Sequence, residues 1–187
     1  MGSTLVAAIG AASGLAGGRT VVFEATPTAP WPGAARLHLP AADARAMWSD
    51  IATAQCADIV VLDDVLEGSA IDDVLVPAAS RKLLIVRTDW CDSLALIERL
   101  AAHPQGGAIL AGRLLAIVQQ RAVTRGPHLF EVLLGDEGVR RAIAAGGSRV
   151  RFTEAARAAG WRTLAERARE RVAHGTLTDL EAARALS

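Results

Sequence analysis

Asp58-Ile59-Val60-Val61-Leu62-Asp63-Asp64 is the stretch that decides the fold. It is a continuous apolar run, mostly β-branched, that ends in two acids. A run this short and this uniform reads as a strand buried on both faces, the form a parallel strand takes. Leu83-Leu84-Ile85-Val86 repeats the pattern downstream, and Val21-Val22-Phe23-Glu24 repeats it upstream. Leu37-His38-Leu39 reads as a further, brief strand. Between these runs, residues 41–56 have helical spacing, with Ala44, Met47, Trp48 and Ile51 on one side, and a short helix is expected over 69–79. Ser3 or Thr4 can cap an N-terminal helix that Gly14, Gly17 and Gly18 end. Strands alternating with helices imply a parallel sheet covered on its faces, an α/β fold.

Past residue 90 the pattern becomes helical. Helices are expected over 91–103 and 107–122, then from Asp136, a capping residue, through Ile143, where Gly146-Gly147 stops the chain. Residues 152–159 form a short helix. Trp161, Leu164, Ala165, Ala168 and Val172 share one face of a longer one. Gly175 ends it, and Thr178 caps a last helix through Leu186. The expected organisation is an α/β domain over 1–126 and a helical subdomain over 127–187, divided near Gly126-Pro127.

With 187 residues, 51% of them hydrophobic, the chain can bury one core plus a small helical appendage. The formal net charge is zero but polarised: residues 1–105 hold 7 basic and 12 acidic groups, residues 106–187 hold 13 and 8. The basic excess is diffuse and no aromatics interleave with it, which argues against nucleic acid. An arginine-rich face suits solvent or an acidic partner. Cys56 and Cys91 are distant and lack metal or redox spacing, so both read as reduced, buried thiols of a cytoplasmic protein. No apolar run approaches the roughly 18 residues that span a bilayer.

Several segments then follow one another in a distinctive order. They are LLAIVQQRAVTR (114–125), LFEVLLGDEGVRRAI (129–143), AARAAGWRTLAERARERVAHG (155–175) and TLTDLEAARAL (176–186). This succession resembles the C-terminal portion of the type II secretion and type IV pilus assembly ATPases. Gln120-Arg121, Phe130-Glu131-Val132-Leu133, Gly160-Trp161-Arg162-Thr163-Leu164 and Gly175-Thr176-Leu177-Thr178-Asp179-Leu180-Glu181 match that family's motifs in order and spacing. The likeness covers residues 108–187 and extends more faintly, but collinearly, over 2–107. It implies a reduced RecA-like, P-loop-NTPase-like sheet with a C-terminal all-helical subdomain, in a truncated and degenerate member.

The departures bear on chemistry. The family cradles phosphates with a glycine loop whose lysine meets the β and γ charges. The matching position here is Gly2-Ser3-Thr4, with Ser3 for the lysine, and a hydroxyl neutralises nothing. The chain's one lysine, Lys82, lies elsewhere. Gly14 to Thr20 superficially looks like a phosphate loop but runs into a strand, so it reads as a turn. Asp63 and Asp64 fall where the family has its magnesium-associated acid, and Glu24 falls at a second acidic motif. Arg87-Thr88-Asp89-Trp90 matches the family's histidine segment without its histidine.

The resemblance thus marks Gly2, Ser3, Thr4, Asp63 and Asp64 as a degenerate nucleotide site, with no catalytic residue and no metal. Asp72-Asp73 beside Asp63-Asp64 is the only other carboxylate grouping considered, and the four histidines (His38, His103, His128, His174) read as surface residues. The family's tetracysteine zinc loop and its N-terminal domain have no counterpart in these residues. The expected function is a non-catalytic protein working through contacts with a secretion or pilus motor ATPase or an inner-membrane platform protein. It would be cytoplasmic or peripheral at the inner membrane, and a monomer or weak oligomer alone. Arg140, Arg141, Arg149, Arg151 and Arg157 are the expected electrostatic contacts. The alternatives are a divergent NTPase using ATP and magnesium, and a fragment whose upstream residues would restore the phosphate loop.

Overall fold

A computed structural model describes residues 17–24, 34–38, 56–66, 83–88, 92–124 and 126–187, with the backbone alone at 36–38 and 63–66. The chain divides into two compact units, residues 1–89 and 90–187.

The first unit carries strands β1 (Thr20–Glu24), β2 (Ala35–His38), β3 (Ile59–Leu66) and β4 (Leu83–Thr88). They form one sheet in the order β2-β1-β3-β4, and every pairing is parallel. The apolar runs explain this arrangement. All of β1 and residues 59–62 of β3 are buried, so the two central strands are covered on both faces. Val22, Ile59 and Val61 cluster on one face, with Ala34, Leu83 and Ile85 packed against them. Asp58 sets the register at the sheet's start: its carboxylate accepts the Arg19 amide at 2.9 Å, and its own amide donates back to the Arg19 carbonyl at 2.9 Å.

The run 58–64 is thus a buried parallel strand, but it does not end at its acids. Leu62 pairs with Val86 and Val65 with Arg87, so Asp63 and Asp64 form a bulge inside β3. Val65 and Leu66 supply further apolar residues that resume pairing, which moves the strand end past the acids. Cys56, expected to be buried, is exposed in the turn before β3, where it takes a left-handed φ of 50°. Cys91, the helix expected from Ser3 or Thr4, residues 41–55 of the next expected helix and the helix expected over 69–79 lie outside the described residues.

The second unit comprises α1 (Ser93–Ala101), α2 (Gly106–Arg113), β5 (Ala116–Arg121), β6 (Leu129–Leu134), α3 (Glu137–Ala144), α4 (Arg149–Ala158), α5 (Leu164–Ala173) and α6 (Asp179–Leu186). The helix expected over 107–122 is instead α2 followed by a strand. Leu114 leaves the helical region at ψ 123°, and Ala116 to Arg121 pair antiparallel with β6, from Ala116↔Leu134 to Arg121↔Leu129. The region 127–187 is therefore not all-helical. The boundary expected at Gly126-Pro127 falls in the loop between two paired strands, inside this unit.

The helix starts follow their local chemistry. Asp92 accepts the amides of Leu94 and Ala95 at 2.9 and 3.0 Å, and Asp136 accepts that of Val139 at 2.8 Å. Thr163 with Glu166, and Thr178 with Glu181, form complete capping boxes. Gly146 ends α3 at φ +64°, a backbone that a side chain would strain. Leu129, Leu164, Ala168, Leu177 and Ala185 make the core under β6, α5 and α6, with Val172 packed against it.

Candidate functional site

In an open parallel sheet the strands' C-terminal edge is where ligands bind. Here that edge gathers residues that carry chemistry. Glu24 ends β1, only 1% exposed, and stands in register with His38 at the end of β2. On its other side, Phe23 pairs with Leu62, so the Asp63–Asp64 bulge begins beside Glu24. Arg87 and Thr88 end β4 directly after that bulge. A bulge re-aims the residues it contains. The edge thus places Glu24, His38, Asp63, Asp64 and the half-buried Arg87 on neighbouring strand ends.

Magnesium and ATP are what the sequence resemblance implies, and the residues at this edge fit them in part. Carboxylates of this kind suit magnesium and its waters, and Arg87 offers a fork that suits a phosphate. Ser3, which the resemblance sets against the phosphate-loop lysine, carries no charge. Of the five residues expected at a nucleotide site, Asp63 and Asp64 are placed together at this edge by the backbone. Gly2, Ser3 and Thr4 lie outside the described residues. Of the Gly14–Thr20 stretch only residues 17–20 are described: Gly17 has φ +88° and Thr20 already pairs with Ile59. His103 and His128 are half-buried and His174 is exposed. Arg87 is the edge residue to which the sequence reading assigned no role. Its signal was a cation closing a buried strand.

The second unit holds a buried polar junction that was likewise not foreseen. Glu131, on the inward parity of β6 and 5% exposed, accepts the Ser93 hydroxyl at 2.8 Å and the Leu164 amide at 2.9 Å. One carboxylate thereby ties the starts of α1 and α5 to the hairpin, and Gln119 stands opposite it on β5.

The arginines expected as contacts are largely engaged within the unit. Arg149 pairs with Asp92 and also with Glu98, the latter at 3.3 Å. The Asp92 hydrogen bond raises the Arg149 pKa. Partial burial pushes the Asp92 carboxyl upward, but the Ala95 amide and Arg149 outweigh it and hold its pKa below the usual range. Arg157 donates to Glu166 at 2.5 Å and lies over the Trp161 ring, 4.9 Å from its centroid. That bond, with the Thr163 amide, lowers the Glu166 pKa to about 2. Arg140 donates to the Gly135 carbonyl at 2.5 Å. Arg141 approaches Glu137 at 3.7 Å with both side chains exposed, and Arg151 is exposed.

Solved structures of secretion and pilus ATPases share this fold. The ATPase DotB of Yersinia pseudotuberculosis superposes with a TM-score of 0.70 at 14% identity, covering 91% of this chain and 50% of that one. The Legionella pneumophila ATPase DotB gives 0.66 at 14%, covering 89% and 51%. The pilus retraction motor PilT, solved with bound ADP, gives 0.68 at 14%, covering 90% and 52%. The chain spans about half the length of these structures. No protein-family model and no curated protein sequence matches it. Among the described residues no helix is long and apolar enough to cross a membrane.

Proposed function

We propose that this chain is a secretion- or pilus-ATPase-like protein that works through protein contacts and does not hydrolyse ATP. What carries the reading is the resemblance, which sets Ser3 against the phosphate-loop lysine, in a chain whose single lysine, Lys82, directly precedes β4. Phosphoryl transfer depends on positioning and on neutralising charge that grows on the phosphates. A serine there removes the main cation. The partners that suit the fold are a secretion or pilus motor ATPase or an inner-membrane platform protein, met at the cytoplasmic side. No bound nucleotide or metal is needed for this role, and the chain alone would be a monomer or weak oligomer.

A second reading is favoured by the carboxylates and Arg87 at the sheet edge: a divergent NTPase that keeps magnesium at Asp63 and Asp64 and meets phosphate with Arg87. One pair of measurements separates the two. Phosphate release and a melting curve are recorded with millimolar ATP and magnesium. A ligand at 100 times its dissociation constant adds about 2.7 kcal/mol, which a melting curve resolves. The contact reading expects neither turnover nor a raised midpoint. Magnesium-dependent release that vanishes in Asp63→Asn or Arg87→Gln establishes the enzyme instead.

A further inference from the structure

One face of α5 is turned to solvent and carries charged residues. Its opposite side is buried through Leu164 and Ala168. Its outer arc carries the exposed Arg162, from the turn leading in, then half-buried Glu166 and the exposed Arg167, Arg169, Glu170 and Ala173. Glu166 is already neutralised by Arg157. Arg162 Nε lies 3.9 Å and Arg167 Nη1 3.4 Å from the carboxylate of Glu170, with all three side chains 45–47% exposed. Two guanidiniums therefore lean on a single carboxylate. Arg169 is exposed as well and donates only sideways, through Nε to the Ala165 carbonyl at 3.3 Å. Three cations against one unshared acid leave two positive charges over, within about 12 Å of helix.

We propose that this face docks an aspartate- and glutamate-rich segment of a partner protein. The chemistry selects that class. Every cation of residues 90–187 is arginine, whose planar fork binds carboxylates in pairs. The arc holds no large apolar residue to enter lipid, which surface-lying membrane helices use for anchorage. The inference rests on the protein-contact reading above, but its test involves no nucleotide. ATP turnover would remove that reading and leave the docking result standing, and lost docking would leave the turnover result untouched.

The probe is fluorescein-labelled poly-L-glutamate, titrated with the full chain and followed by anisotropy. Arg162→Gln, Arg167→Gln and Arg169→Gln together are expected to weaken binding about tenfold or more. A control triple, Arg99→Gln with Arg113→Gln and Arg184→Gln, removes the same charge from three other helices and is expected to change it by less than about threefold. Binding should weaken as salt rises from about 0.02 to about 0.3 M, because the contact is exposed and screened. Circular dichroism confirms that both triples stay folded. Equal losses in the two triples reduce the effect to net charge and overturn the proposal. So does the absence of binding at low salt, or sedimentation with phosphatidylglycerol vesicles while poly-L-glutamate is ignored.

Discussion

Replacing Glu131 tests how the second unit holds together. Its carboxylate is 5% exposed and receives Ser93 Oγ at 2.8 Å and the Leu164 amide at 2.9 Å. Glu131→Ala removes the acceptor and leaves both donors buried without their partner. Each buried, unsatisfied partner costs about 1–3 kcal/mol, so the loss should be about 2–6 kcal/mol. A cavity where the side chain stood adds to it, whereas release from the cost of burying a carboxylate subtracts. The first effect wins because the stranded amide is the first of α5 and has no other acceptor in the helix. Glu131→Gln keeps the shape and one acceptor oxygen, so it should cost about 1–3 kcal/mol. Ser93→Ala deletes donor and bond together and should cost about 0.5–1.5 kcal/mol. Adding Ser93→Ala to Glu131→Ala should then cost less than the sum of the two, since one stranded donor disappears. Urea melts of the four proteins measure all of this. A Glu131→Ala chain within about 0.5 kcal/mol of the parent would refute the reasoning.

Trp161 is 7% exposed and carries Arg157 on its ring face, so Trp161→Ala should lose about 3–5 kcal/mol, and Trp161→Phe clearly less; parent-like melting of the alanine variant would place the ring in solvent. Glu166, with its pKa lowered to about 2, stabilises the fold above the unfolded value near 4.5, and that contribution disappears as pH falls from there towards 2. Glu166→Gln should therefore narrow the stability difference between neutral and acid solution, which melting curves at several pH values would reveal. Gly135 lies against the preceding chain so closely that a Cβ would stand 2.2 Å from the Leu114 carbonyl oxygen. Gly135→Ala should consequently destabilise the hairpin by more than about 1 kcal/mol, and an unchanged midpoint would show that the backbone there gives way.

Much of the architecture was legible locally. An uninterrupted β-branched run can be stable only where both faces are covered, and Val60 and Val61 are indeed fully buried between neighbours. Asp136 and Thr178 act on amides three residues away, so their caps are properties of short peptides. The resemblance to secretion and pilus ATPases agrees with the fold. What it implied about lost catalysis concerns charge on a bound phosphate and waits on the ATP measurements.

The rest was decided by partners far away in the chain. Leu114 to Arg121 fit a helix as well as a strand, and only the ladder to β6 makes extension the better choice, by pairing amides that a helix would otherwise pair within itself. Glu131 reads as one more polar residue of a strand until α1 and α5 bring donors from 38 and 33 residues away. Asp63 and Asp64 read as a strand terminus, yet β4 takes up Val65 and Leu66 and leaves the acids as a bulge beside Glu24. Helix caps and buried runs depend on neighbours in sequence, so the amino-acid order alone determined them. Pairing, bulges and the grouping of distant charges depend on neighbours in space, which only the assembled sheet and hairpin provide.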